Sequence, residues 1–151
     1  MTDEKLAQAT EIVRKRKDPD LIYLYYDPQD PAFRTPSVPE TVAVRKAAKP
    51  GLLPGALRIP PGSAVYYGVL PGRTVCEEKA SGWVSASPVS SGFRTITAET
   101  LPAFRNRGIA SACLGCLILN EEGPFLYLVR RQNLPSVHLA QRCGFRPVPG
   151  I

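Results

Sequence analysis

Long apolar runs and glycine-rich nucleotide loops are what this sequence lacks, and it has a single histidine. No stretch approaches the roughly eighteen apolar residues that a bilayer-crossing helix needs. The acidic opening Met1, Thr2, Asp3, Glu4 has no signal-peptide core behind it. No membrane association is expected, and a cytoplasmic location follows by default. Cysteine is sparse: Cys76, Cys113, Cys116 and Cys143 are too scattered for a secreted disulfide framework, so reduced thiols are the simpler reading. With His138 as the only histidine, Cys113-x-x-Cys116 has few partners with which to complete a zinc site. The pair also falls in an apolar helical stretch, where packed thiols explain it better, and no metal is expected. Neither G-x-G-x-x-G nor G-K-[ST] occurs, which removes the dinucleotide and P-loop signatures.

What is present is a basic, proline-rich chain of 151 residues with net charge +6 and 16 prolines. That length suits one domain with an extension, large enough to bury a core without staples. The positive charge favours anionic partners, yet charge alone does not choose between nucleic acid, acidic protein and a phosphorylated small molecule. Arg14, Lys15, Arg16 and Lys17 read as the solvated end of a helix, where cations suit the negative dipole end, so nucleic acid is disfavoured as a partner.

Periodicity predicts a helix over 3–17, stopped by Pro19, and a strand over 21–26. From 27 to 62 prolines interrupt every candidate element apart from a short segment at 40–48. Beyond Gly62 the texture changes. A hairpin is expected from strands at 64–69 and 74–87, then a third strand at 93–101, an apolar helix at 110–120, a buried strand at 125–129 and a helix at 136–143. Pro135 is tolerated in the first turn of that last helix and Gly144 caps its end. The fold class is therefore α/β (α+β): a mixed, mostly antiparallel sheet covered by helices. The domain reading is an N-terminal segment, 1–62, of helix, strand and proline-rich chain, and a core at 63–151. Trp83, Tyr66 and Tyr67 are read as core residues of the hairpin.

Between the third strand and the first core helix stands Glu99-Thr100-Leu101-Pro102-Ala103-Phe104-Arg105-Asn106-Arg107-Gly108-Ile109-Ala110-Ser111. A turn at a helix N-terminus offers unpaired N–H groups and a positive dipole end to a pyrophosphate. Arg105 and Arg107 add charge, Gly108 allows close backbone approach, and Ala110 and Ser111 keep the helix face small. Arg105, Gly108 and Ala110 match the Arg-x-x-Gly-x-Ala core of the motif of Gcn5-related N-acetyltransferases (GNAT). Asn133-Leu134-Pro135-Ser136, followed by Gly144-Phe145, resembles that family's ending of Asn, helix and Gly-Phe.

The resemblance covers 63–147 and implies a fold, a cosubstrate and a reaction. Acetyl-coenzyme A would be held by Thr100, Leu101, Arg105, Asn106, Arg107, Gly108, Ile109, Ala110, Ser111, Asn133 and Ser136. Its acetyl group would pass to a primary amine, of a small molecule or a peptide, by direct attack in a ternary complex, with a backbone N–H near Glu99 or Thr100 stabilising the oxyanion. Glu99, at the strand end, would take the amine proton as general base; the plainer reading is a sheet-edge glutamate. Where many members carry the Tyr that protonates the leaving thiolate, this chain has Ala140, so the thiol leaves as thiolate or water, Ser136 or Tyr127 substitutes. A non-catalytic acyl-coenzyme A sensor is the alternative. Members usually add one or two strands beyond the Gly-Phe, so the N-terminal segment or a partner chain, as in a homodimer, would complete the sheet.

Overall fold

The structure, a computed structural model, describes residues 7, 10, 11, 15, 18–36, 38, 41–89, 92–105 and 107–148. Seven strands form one sheet: β1 (Leu21–Tyr26), β2 (Ala43–Lys46), β3 (Ala64–Val69), β4 (Gly82–Ala86), β5 (Arg94–Thr100), β6 (Phe125–Arg130) and β7 (Arg146–Pro147). Their spatial order is β2-β3-β4-β5-β6-β1-β7. Two helices belong to it, α1 (Ile109–Asn120) and α2 (Leu134–Arg142). All neighbours are antiparallel except β5 and β6, which run parallel, as strands joined through a crossover helix must.

Strands on both sides of position 62 share this sheet, and Tyr23–Tyr26, Phe33 and Val42 share one core cluster with Phe125, Phe145 and α1. The strand that completes the sheet next to β6 comes from the chain's own N-terminal segment: Leu21↔Arg130 through Tyr26↔Phe125 is an unbroken antiparallel register. The helix expected at 3–17 falls largely outside the described residues; Ala7, Thr10, Glu11 and Lys15 are helical.

Alternation along the strands sorts side chains onto two faces. Val84, Ile96 and Tyr127 face the helices and pack in the cluster that includes Ile109, Cys113 and Leu117 of α1. Val65, Tyr67, Val69 and Trp83 face the other way and form a second cluster with Leu53 and Ala80. Glu99 stands opposite Trp83 in the β4–β5 register and so belongs to this second face. Gly82 is required where α1 and β5 come close: an added Cβ would lie 2.8 Å from the Glu99 carbonyl oxygen and 3.2 Å from Ile109 Cγ2.

Two boundaries after residue 62 differ from the sequence reading by more than one residue. The strand expected from 74 starts only at Gly82, because Glu77–Lys79 form a 3-10 turn tied back by the Ala48 N–H to Glu77 Oε1 bond of 3.1 Å. Helix α2 starts at Leu134, two residues early, because the Asn133 side chain caps it by accepting from the Ser136 N–H.

At the far end of α1, Glu121 sits where the helix dipole disfavours an anion. It is held by the Tyr66 hydroxyl at 2.6 Å, Lys46 Nζ at 3.0 Å and Arg94 Nη1 at 3.4 Å. Burial pushes its carboxyl up, but the hydrogen bonds from Tyr66, Lys46 and Arg94 outweigh it and hold the group below the ordinary glutamate range. A depressed carboxyl contributes stability that is present above its unfolded-state pKa and lost as pH falls through the folded one. Glu121→Gln is therefore expected to cost about 2 kcal/mol at pH 7 in urea denaturation, and the gap to wild type should shrink below about pH 4.3. A gap independent of pH would show that the charge contributes nothing.

Candidate active site

Strands β5 and β6 are in register over only Arg94↔Phe125, Thr95↔Leu126 and Ile96↔Tyr127. Beyond Ile96 strand β5 stays paired with β4 as far as Thr100↔Gly82, so the parallel strands part and leave an opening in the sheet. The Leu101 N–H bonds the Ser81 carbonyl at 3.0 Å and the Ser87 N–H bonds the Thr95 carbonyl at 3.0 Å. Odd-numbered β5 residues thus turn their amides to β4, and antiparallel alternation turns those of Ala98 and Thr100 toward the opening. The Thr100 carbonyl accepts from Arg105 Nε at 3.4 Å, in keeping with that direction.

A cavity of about 390 Å³ occupies the opening, in the size range of small-molecule sites. Its wall takes Ala98, Glu99 and Thr100 from β5, and Gly108, Ile109, Ala110 and Ser111 from the start of α1. Helix α2 and the residue before it contribute Asn133, Pro135, Ser136, Leu139 and Arg142, and the connections add Arg58, Phe104 and Arg105.

Helix α1 begins at Gly108, whose φ of 77° is left-handed and which offers no side-chain cap. The first helical bond runs from the Ala112 N–H to the Gly108 carbonyl at 3.0 Å, so the N–H groups of Ile109, Ala110 and Ser111 have no acceptor within the helix. Arg105 and Arg142 stand beside them, and Arg142 Nη2 donates to Ser111 Oγ at 3.3 Å. Uncapped amides, a positive dipole end and two guanidinium groups fit the phosphates of a nucleotide cosubstrate.

Glu99 is the one carboxylate in the wall among the described residues, and it lies on the opposite face of the sheet from α1. Its Oε2 accepts from Arg58 Nη1 at 2.8 Å. Tyr127, buried on β6, has Ser136 as a side-chain neighbour. Burial pushes the Tyr127 phenol up to about 12, against a lowering by the neighbouring Ser136, so the phenol holds its proton at neutral pH. Ala140, at the position where a Tyr was sought, is fully buried.

Of the residues predicted from sequence, the fold brings Glu99, Thr100, Arg105, Gly108, Ile109, Ala110, Ser111, Asn133 and Ser136 to one cavity. Leu101 and Arg107 are not on its wall; Leu101 is tied to Ser81 by its backbone, and Arg107 is exposed two residues ahead of α1. Asn106 lies outside the described residues. Arg58 and Arg142 were missed. Arg142 could have been found, since Ser136, Leu139 and Arg142 recur every three residues along α2. Arg58 carried no such signal. All four cysteines are free thiols; burial pushes Cys113 and Cys116 up, and no group of three metal-ligating side chains occurs among the described residues. No helix among those residues is long and apolar enough to cross a membrane.

No family model matches the chain, and no curated protein matches it. Solved structures do. It superposes on a GCN5-related N-acetyltransferase from Sphaerobacter thermophilus with TM-score 0.56 and 14% identity, covering 92% of this chain and 52% of that one. One from Kribbella flavida gives TM-score 0.55 and 13% identity, with 83% and 53% covered. A GCN5-related N-acetyltransferase-like protein from Streptococcus suis 89/1591 gives 0.55 and 14%, with 91% and 63% covered. The chain has the GNAT fold, and it spans between 52% and 63% of the length of these structures.

The left-handed Gly108 that opens α1 is the backbone feature on which the cavity's cationic end depends. Gly108→Ala places a Cβ in a conformation that costs about 1–2 kcal/mol, which is expected as a lower urea midpoint with an unchanged slope. An unchanged midpoint would show that the turn accepts a side chain and is not held in this geometry.

Proposed function

We propose that the chain is an N-acetyltransferase that moves an acetyl group from acetyl-coenzyme A to a primary amine. The observation that carries this reading is the parting of β5 from β6 directly beside the uncapped, arginine-flanked start of α1. Phosphates are assigned to the α1 amides, Arg105 and Arg142, and the acyl carbonyl to the opening lined by Ala98 and Thr100. There the Thr100 N–H, on the side of β5 away from β4, is the candidate oxyanion donor; Glu99's own amide is turned to β4.

Acetyl-coenzyme A supplies an activated thioester, and the acceptor's nitrogen forms the new C–N bond as the C–S bond breaks. A primary amine is mostly protonated at neutral pH and must lose its proton to attack. Glu99, across the sheet from the phosphate end, is the group assigned to take it. The leaving sulfur needs a proton in turn, and the Tyr127–Ser136 pair is the source assigned to it: Ser136 reaches the cavity, and Tyr127 behind it keeps its proton. This pair replaces the tyrosine missing at Ala140.

Isothermal titration with acetyl-coenzyme A tests the first half. Binding is expected, and Arg105→Ala should weaken it by about ten- to a hundredfold, the worth of one charge-assisted phosphate bond. An absence of binding at millimolar cosubstrate would sink the reading. Glu99→Gln tests the second half: coenzyme A affinity should hold while thiol release with an accepted amine slows by about a hundredfold at neutral pH and recovers as pH rises toward the amine's own pKa. Identical rates and pH profiles would reduce Glu99 to a strand residue. For the leaving-group proton, Tyr127→Phe should lower kcat by about tenfold or more with cosubstrate affinity intact; an unchanged kcat would mean that the thiolate departs unassisted.

A further inference from the structure

The ion pair between Arg58 and Glu99 has a bearing on the acceptor. Its side chains are 71% and 24% exposed, so it adds little to stability. Its placement is nevertheless specified. Arg58 ends the 3-10 turn Ala56–Arg58, closed by the Arg58 N–H to Gly55 carbonyl bond at 3.1 Å and the Ile59 N–H to Ala56 carbonyl bond at 3.0 Å. The turn is anchored to the sheet by the fully buried Trp83, whose Nε1 donates to the Pro54 carbonyl at 2.7 Å, and by Leu53, buried in the same cluster. Left-handed Gly55 sits over Glu99, where an added Cβ would lie 3.5 Å from Cγ. An indole hydrogen bond and a tight turn thus hold a cation at the one carboxylate that the described residues place on the cavity wall.

We infer that the acceptor is an amine bearing a carboxylate close to its nitrogen, an α-amino acid, and that Arg58 is the residue that selects it. The inference rests on the acetyl-transfer reading above. An acceptor with only a positive charge would bring that charge to Glu99 against Arg58. A zwitterion replaces the existing pair charge for charge: its carboxylate takes the planar guanidinium fork and its nitrogen takes Glu99. Amine and carboxylate on one carbon match two partners that already touch. Arg105 and Arg142 lie at the phosphate end, which leaves Arg58 as the cation at the acceptor end.

The test is thiol release by the intact chain with acetyl-coenzyme A and a panel of free α-amino acids, each beside its primary amide and its decarboxylated amine. Amino acids are expected to exceed both by tenfold or more in kcat/KM. Arg58→Gln, at an exposed position, should raise their KM by tenfold or more without raising the KM of the amides or changing the cosubstrate affinity. Amides or simple amines acetylated as well as the amino acids, a preference that survives Arg58→Gln, or cosubstrate binding with no amino acid acetylated would each overturn the inference while leaving acetyl-coenzyme A binding standing. Failure of the wild type to bind acetyl-coenzyme A would overturn the inference together with the reading beneath it.

Discussion

Three residues of parallel pairing hold β5 to β6, and everything at the cavity depends on that pairing being so short. Had it run the full length of both strands, the amide edge of Thr100 would be covered by a neighbour and α1 would start above closed sheet. Instead β4 keeps β5 straight to its end while β6 leaves with β1. The opening therefore has one fixed lip with directed backbone groups and one lip formed by α2 and the residues before it. Binding groups placed on strand ends and helix starts are held by the sheet itself, so little side-chain ordering is left to a ligand.

The chemistry divides along the sheet's two faces. On the helix side are amides, Arg105 and Arg142, suited to phosphate. On the other are Glu99 and Arg58, suited to an acceptor. Ala98 and Thr100 lie between them. In the proposed reaction, such an arrangement would bring two substrates to one point from opposite sides, so neither would have to leave for the other to enter.

The loop before α1 was legible in sequence because its physics is local: a glycine before an apolar helix, flanking arginines and small residues within a dozen positions. The helices and core strands were legible for the same reason. Where tertiary contacts decide, legibility fell. The start of β4 moved because Glu77 reaches Ala48, and Arg58 was invisible because its place is set by Trp83, twenty-five positions on, through a chain of prolines with no periodic signal. Strand β1 was recognisable as a strand, but nothing in its six residues names β6 as its neighbour. Helix α2 was expected two residues late because its start is set by the Asn133 cap, a side-chain bond that apolar periodicity does not report.

That partnership has a consequence for how the molecule assembles. Leu21–Tyr26 leaves a ribosome about a hundred positions before its neighbours Phe125–Arg130 and Arg146–Pro147. During synthesis an aromatic, β-prone segment must wait with both edges bare, which is the condition under which strands pair with the wrong chain. Asp18 and Asp20 before it and Asp27 after it supply the flanking negative charge that discourages such pairing. The sheet closes through contacts about a hundred positions apart, so pairing β1 must overcome the closure of a loop that spans most of the sheet's other strands.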